Sequence, residues 1–134
     1  MKTRWITTIS EMKAFAAETR PRAKSLALVP TMGALHEGHL SLVRQAKRQC
    51  DVIVVSIFVN PTQFGPTEDF ARYPRSPEKD LELLRPLEVD VVFAPSSTEI
   101  FPAGFATFLD PGHIATVFEG PFGPDIFVAW PRWF

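Results

Sequence analysis

The chain contains, at residues 25–40, the segment Ser25-Leu26-Ala27-Leu28-Val29-Pro30-Thr31-Met32-Gly33-Ala34-Leu35-His36-Glu37-Gly38-His39-Leu40. Its first five residues are an apolar run typical of a short buried strand, and apolar residues at helical spacing continue as far as Cys50. Small residues and two histidines, His36 and His39, stand between these two patterns. The segment therefore predicts a strand, a tight turn and a helix, with both histidines in the first turn of the helix.

The start of that helix is suited to bind a nucleotide phosphate. Unpaired backbone N–H groups and the positive end of the helix dipole attract phosphate oxygens there, and Gly33 and Gly38 let the backbone approach them. Histidines at positions i and i+3 project to one side and can donate hydrogen bonds to a charge that grows in a transition state. The alternative is that His36 and His39 are ordinary polar residues of a loop.

A second segment, Val52 to Phe64, agrees with the first. Its β-branched run is typical of a strand buried on both faces, as in a parallel sheet. Asn60 and Gln63 follow the carboxyl end of this strand, where open α/β sheets bind their ligands. Their amides can hydrogen-bond a small polar substrate, although Asn60 before Pro61 is equally typical of turn chemistry.

Strands and helices alternate along the rest of the chain, which predicts an α/β fold with a parallel sheet covered by helices. Residues 8–11 have the spacing of a capping box and open a helix that buries Ile9 and Met12, with Phe15 and Ala16 as further candidates for its buried face. Ser76 and Pro77 begin another helix, and residues 89–94 form the next strand. The leucines predicted to face inward from the second helix are Leu81, Leu84 and Leu87.

Residues 64–76, between these elements, are predicted to form a functional loop because they combine glycine, prolines and charged residues. Arg72 and Arg75 lie in this loop. They either meet the carboxylate or phosphate of a substrate, or are solvated and paired with nearby acidic residues.

Composition limits the class of protein further. A hydrophobic content of 46%, a net charge of −1 and a single cysteine give no basis for a disulfide framework. With 14 basic and 15 acidic residues there is no basic stripe, so nucleic-acid binding is not expected. No stretch approaches the roughly 18 apolar residues of a membrane helix, and no apolar leader follows Met1. The expected protein is cytoplasmic and binds neither nucleic acid nor membrane.

Residues 29–42 and 58–65 together resemble the pantoate–β-alanine ligases, the pantothenate synthetases of the HIGH-type nucleotidyltransferase superfamily. The block Tyr73-Pro74-Arg75-Ser76-Pro77 with Asp80-Leu81 is similar to the family's next motif, and Phe101-Pro102-x-Gly104 to the one after it. The resemblance covers about residues 3 to 120. Its motifs are specific as a set, because other members of the superfamily share the histidine signature but not Phe-Val-Asn-Pro-x-Gln-Phe.

The resemblance implies a Rossmann-like parallel sheet with flanking helices and a reaction in two steps. ATP and pantoate would form pantoyl adenylate and pyrophosphate, and the amine of β-alanine would then displace AMP to give pantothenate. Mg²⁺ would accompany the ATP. The implied partners are the small molecules pantoate, β-alanine and ATP, and a second copy of the chain in a homodimer.

The resemblance also implies roles for individual residues. His36 and His39 would be catalytic and steady the α-phosphate, with His39 as the proton donor. Gln63, helped by Asn60 and Met32, would bind pantoate and β-alanine. Asp80 would lie near the metal, although Lys79 occupies the preceding position, which is acidic in the family. The implied ATP-binding residues are Met32, Gly33, Ala34, Leu35, His36, Glu37, Gly38 and His39.

The chain departs from the family pattern after residue 120, where the family has an Arg-Pro-Gly-His-Phe-type segment, a later ATP loop and a C-terminal lid domain. Codons can be chosen for that family segment such that deletion of one base, after the first codon, shifts the reading frame to encode Phe122 to Trp133. The end of the chain is therefore consistent with a frameshift. The expected organisation is therefore an incomplete nucleotide- and pantoate-binding domain at 1–120 and an aberrant, disordered tail at 121–134.

The missing lid domain is expected to impair catalysis, because the lid would exclude water and supply further phosphate-stabilising groups. Two alternatives to a ligase remain open. One is a non-catalytic remnant that binds nucleotide or dimerises, and the other is a different HIGH-type nucleotidyltransferase.

Overall fold

A computed structural model describes residues 3–65, 67, 69–107 and 113 of the chain. Strands and helices alternate through most of these residues, as the sequence predicts. In chain order the elements are β1 (Arg4–Ile6), α1 (Ile9–Thr19), β2 (Leu26–Thr31), α2 (Glu37–Gln49), β3 (Val52–Ile57), α3 (Pro77–Leu84), β4 (Val91–Phe93) and α4 (Ser97–Ile100). Short 3₁₀ helices lie at Pro61–Gln63, Phe70–Arg72 and Arg85–Leu87.

The four strands form one parallel sheet in the order β1-β4-β3-β2. Val55 at the centre of β3 pairs with Val29 of β2 and with Val92 of β4. All strands therefore end at the same edge of the sheet, which is the edge where open α/β sheets bind ligands. The predicted α/β fold with a parallel sheet is confirmed.

Two apolar cores cover the two faces of the sheet. The larger core joins β2, β3 and β4 to α2 and α3, with Val43 and Leu84 fully buried at its centre. The smaller core packs Phe15 of α1 against Val54 and Val91. The β-branched run of β3 contributes to both cores, and this confirms that the strand is buried on both faces.

The prediction that residues 25–29 form a buried strand is wrong for one face. β2 is an edge strand in the described sheet, and its residues alternate between exposed and buried positions. Val29 is buried at 5% exposure in the larger core, whereas Leu26 and Leu28 are 39% and 45% exposed. Periodicity could not reveal this difference, because among the described residues α1 packs on Val54 and Val91 of the neighbouring strands, and Leu26 and Leu28 of β2 stay exposed.

The predicted helix starts agree with the structure. Thr8 is the N-cap of α1 and accepts a hydrogen bond from the Glu11 N–H at 3.2 Å. Ser76 occupies the N-cap position of α3 without a side-chain capping hydrogen bond, and Pro77 is the first residue of the helix. Leu84 is fully buried, Leu81 is partly buried, and Leu87 is partly buried in the 3₁₀ helix that follows. The last predicted strand is shorter than expected, at Val91–Phe93. β1 and α4 were not predicted, because with three and four residues they are too short to show a period.

No helix within the described residues is long and apolar enough to cross a membrane. The proposed tail at 121–134 lies outside the described residues. The division at residue 120 therefore stays a prediction.

Candidate active site

A cavity of about 310 Å³ opens at the carboxyl edge of the sheet. Residues that follow three neighbouring strands line it, together with the first turn of α3. The lining includes Met32 and Gly33 after β2, Phe58 and Val59 after β3, Ala94 and Pro95 after β4, Ser76 just before α3, and Pro77 and Asp80 within it. The cavity thus lies at the edge of the sheet where open α/β folds bind their ligands, as the sequence predicts.

A buried carboxylate holds the turn between β2 and α2. Gly33 and Ala34 have positive φ angles of 79° and 50°, an uncommon conformation for a residue with a Cβ atom such as Ala34. This conformation directs the N–H groups of Ala34 and Leu35 to Asp80, with N···O distances of 3.0 and 2.8 Å to its two carboxylate oxygens. Asp80 is only 2% exposed, so two charge-assisted hydrogen bonds stabilise its buried charge.

Gly33 is required at this turn for two reasons. Its positive φ favours glycine, and an added Cβ atom would lie 3.1 Å from Oδ2 of Asp80 and from Cγ2 of Ile57. Thr31 supports the same turn, because its hydroxyl accepts the Gly33 N–H at 3.1 Å and donates to the carbonyl of Ser56 at 2.8 Å. The turn is therefore fixed from β3 and from α3 at the same time.

The two histidines form the cap of α2. His36 is the N-cap and its Nδ1 accepts the Gly38 N–H at 3.1 Å, while Nδ1 of His39 accepts the His36 N–H at 3.2 Å. An added Cβ atom at Gly38 would lie 2.8 Å from Cε1 of His36, so glycine leaves room for that ring. The prediction that both histidines lie in the first turn is confirmed, and the pair also performs the reciprocal capping usually made by Ser or Thr with Glu.

This cap decides which ring nitrogen carries the proton. Since both Nδ1 atoms accept hydrogen bonds, each neutral ring has its proton on Nε2 and is a donor there. The ring centroids are 4.1 Å apart. Two Nε2–H donors therefore lie side by side at the amino end of α2, in the pattern that stabilises charge on a phosphate.

Partial burial lowers the pKa of His39 below its usual value of 6.5, and the neighbouring His36 lowers it further, while the Asp80 carboxylate acts in the opposite direction. His39 is therefore mostly neutral near pH 7. In that state it keeps both its cap to the His36 N–H and its donor at Nε2.

Asn60 and Gln63 lie outside the lining of the cavity. Asn60 is buried at 4% exposure, and its side-chain oxygen accepts from the N–H and hydroxyl of Thr62 at 3.0 and 2.8 Å. The turn chemistry considered for Asn60 is thus present, since it caps the 3₁₀ helix Pro61–Gln63. Gln63 is exposed at the end of that helix, and neither amide belongs to the cavity lining.

The loop at 64–76 contains a small aromatic cluster. The ring of Phe64 makes edge contacts with Phe70 and Tyr73, at centroid distances of 5.4 and 5.6 Å. Arg75 donates to backbone carbonyls of this loop, and Arg72 pairs with Asp69 at 2.9 Å. The 3₁₀ helix Phe70–Arg72 within the loop was not predicted.

Among the described residues there is no cluster of three or more His, Cys, Asp or Glu side chains that could hold a metal ion. A magnesium ion that arrives with a nucleotide needs only one or two protein carboxylates, because phosphates and water supply its other ligands. Asp80 is a carboxylate that lines the cavity. Its position fits such an ion, although each of its oxygens already accepts one backbone N–H.

Comparison with known proteins agrees with this geometry. A family model described as pantoate-beta-alanine ligase matches residues 4–129. The chain belongs to the pantoate–β-alanine ligase family. The pantothenate synthetase of Carboxydothermus hydrogenoformans is 54% identical over 125 residues, which are 92% of this chain and 44% of that protein. That of Pelotomaculum thermopropionicum is 56% identical over 103 residues, or 77% of this chain and 36% of the relative.

Solved structures of this ligase family share the fold. The crystal structure of pantothenate synthetase from Thermus thermophilus superposes with a TM-score of 0.84 at 43% identity, covering 93% of this chain and 44% of that one. The ligase from Francisella tularensis, solved with "Beta-gamma ATP and Beta-alanine", matches with a TM-score of 0.85 at 39% identity. The match covers 94% of this chain and 48% of that one. The chain therefore spans less than half the length of these relatives, and the predicted Rossmann-like fold is confirmed.

Proposed function

We propose that this chain forms the nucleotide- and pantoate-binding part of a pantoate–β-alanine ligase. In the first step the pantoate carboxylate attacks the α-phosphorus of ATP and pyrophosphate leaves. In the second step the amine of β-alanine attacks the acyl carbon of the adenylate, and AMP leaves with loss of a proton from the amine. Association as a homodimer, which the family resemblance implies, belongs to the same proposal.

The observation that carries the proposal is the pair of Nε2–H donors that the cap of α2 leaves to His36 and His39, in the segment that follows Met32 and Gly33 of the cavity lining. These donors would hydrogen-bond the α-phosphate oxygens as their charge grows, and backbone N–H groups of the same helix start would add to this effect. His39, mostly neutral near pH 7, would donate a hydrogen bond from Nε2 to a phosphate oxygen, and the proton transfer that the resemblance implies would require its imidazolium form.

The remaining roles follow from the resemblance and from the position of each residue. Residues 32–39 would line the ATP site. Met32 also lines the cavity, so it would contact pantoate as well as ATP. Gln63 would bind pantoate from its exposed position, with Asn60 fixing the turn that carries it. Mg²⁺, held through Asp80 and the nucleotide, would neutralise phosphate charge.

Substitution of each histidine by asparagine tests the proposal. At the N-cap position of His36, Asn is a favoured residue. At either position the side-chain oxygen of Asn can replace the Nδ1 acceptor, but Asn has no group at the position of Nε2. We expect His36→Asn and His39→Asn to keep the thermal unfolding midpoint and to lower pantoate-dependent pyrophosphate release by about 10²- to 10³-fold each. His39→Gln is a further control, because glutamine at the third helical position can accept the His36 N–H as in a capping box. A variant that keeps its stability and loses activity would then point to Nε2 of His39 and not to the cap.

Calorimetric titration of the unmodified 134-residue chain with Mg·ATP and with pantoate gives the direct test. Saturable heats for both ligands support the proposal. Heat with ATP alone would favour a nucleotide-binding remnant, and silence with both would favour a remnant that only dimerises. Either of these results would overturn the assignment of pantoate binding.

A further inference from the structure

The guanidinium of Arg75 is engaged within its own loop. It donates to the carbonyl oxygens of Tyr73 and Phe70 at 3.0 and 3.1 Å and to that of Ala71 at 3.4 Å. Its central carbon also lies 4.9 Å from the centre of the Phe70 ring, which is a cation–π contact. One planar guanidinium thus binds three backbone carbonyls in and next to the 3₁₀ helix Phe70–Arg72. The ammonium group of lysine cannot reproduce this geometry.

The helix held by Arg75 is linked to the predicted substrate amide by aromatic contacts. Phe70 and Tyr73 meet the ring of Phe64 edge-on, with interplanar angles of 84° and 87°. Phe64 directly follows Gln63 and its N–H closes the 3₁₀ turn on the carbonyl of Pro61. Movement of the Phe70 segment would therefore move Phe64 and the end of the turn that carries Gln63.

The same contacts shape the cavity. Phe70 and Arg75 both line it, together with residues that follow the strands. We propose that Arg75 is a positioning residue: it fixes residues 70–73 against Phe64, so that the turn that carries Gln63 and the Phe70 wall of the cavity are in place for pantoate. This inference rests on the proposed function and adds a residue that determines the binding of that substrate.

Two conservative substitutions separate this role from a direct contact with substrate. Arg75→Lys keeps the positive charge but cannot bridge the three carbonyls, whereas a charge that merely attracts the substrate carboxylate would survive it. Arg72→Lys is the matched control, because Arg72 lies in the same loop, is 88% exposed in its side chain and pairs only with Asp69 among the ion pairs of the described residues.

We expect Arg75→Lys to speed amide hydrogen exchange at residues 72 and 73 and to raise the Kd for pantoate about ten-fold, with the Kd for ATP unchanged. Arg72→Lys should leave the pantoate Kd unchanged. Unchanged exchange in Arg75→Lys would overturn the proposal, as would faster exchange with an unchanged pantoate Kd.

If the unmodified chain binds no pantoate, the proposed function fails, and that failure is distinguishable from failure of the loop-fixing role of Arg75. The hydrogen-exchange comparison of Arg75→Lys with Arg72→Lys still decides whether Arg75 orders the loop. Faster exchange confined to the Arg75 variant supports that role, and equal exchange in both variants refutes it.

Discussion

At the scale of single residues, the site depends on groups that satisfy backbone N–H donors. Asp80 accepts from two consecutive amides of a turn with positive φ angles, and each histidine accepts one amide through Nδ1. Such contacts convert ordinary side chains into a rigid support for the groups that face the ligand. The resemblance assigns Asp80 to the metal, and the structure adds that the same carboxylate fixes the histidine-bearing turn.

Asp80→Asn tests that second role. One carboxylate oxygen becomes an NH₂ group that cannot accept, so one buried backbone N–H loses its partner, at a cost of about 1–3 kcal/mol. We expect this loss in the free energy of unfolding from urea denaturation with EDTA present and no nucleotide. Glu78→Gln makes the same chemical change at an exposed position of α3 and should change stability by less than about 0.5 kcal/mol. Equal stability of the two variants would leave the metal as the only role for Asp80.

At the scale of elements, α3 connects the larger core to the site. Its first turn carries Asp80 into the cavity lining, and its last turn buries Leu84 completely. The neighbouring Leu83 is 39% exposed. Packing of this short helix against the sheet therefore determines where the carboxylate meets the turn after β2.

Leu84→Ala should lower the free energy of unfolding by about 2–5 kcal/mol, because it removes a fully buried side chain and leaves a cavity. Leu83→Ala, next to it on the same helix, should cost about 0.5 kcal/mol or less. Chemical denaturation of both variants makes the comparison. Similar losses in the two variants would contradict the observed orientation of α3.

At the scale of the whole molecule, the described sheet ends at β2, whose outer face is apolar and whose edge has no further strand among the described residues. An exposed apolar edge is a template for pairing with another chain.

We expect the chain to self-associate through this edge in a concentration-dependent way, and Leu28→Lys to reduce that association. A charge on an edge strand opposes pairing, whereas Leu28 is already 45% exposed and its replacement removes little packing. Sedimentation velocity over a range of concentrations measures the effect, with Leu83→Lys on α3 as a control away from β2. Association that responds equally to both substitutions would place the contact elsewhere.

The sequence determined the fold class and the position of the histidines, because both depend on local patterns. Apolar period, glycine positions and helix-cap chemistry are encoded within a few residues of each other, as in residues 25–40. The family could also be recognised from the sequence, because its motifs are specific as a set. Burial of β3 also followed from its composition, since a strand apolar on both faces belongs inside a sheet.

Only the tertiary structure decided which partners these residues have. The hydrogen bonds from the turn at Ala34 and Leu35 to Asp80 join positions 46 and 45 residues apart, and no local pattern encodes such a contact. Likewise, β2 has the apolar pattern of a buried strand but lies at an edge, because strand order depends on how the whole chain packs. The tautomer of each histidine was equally inaccessible from composition, since it follows from which backbone N–H the folded chain brings to Nδ1.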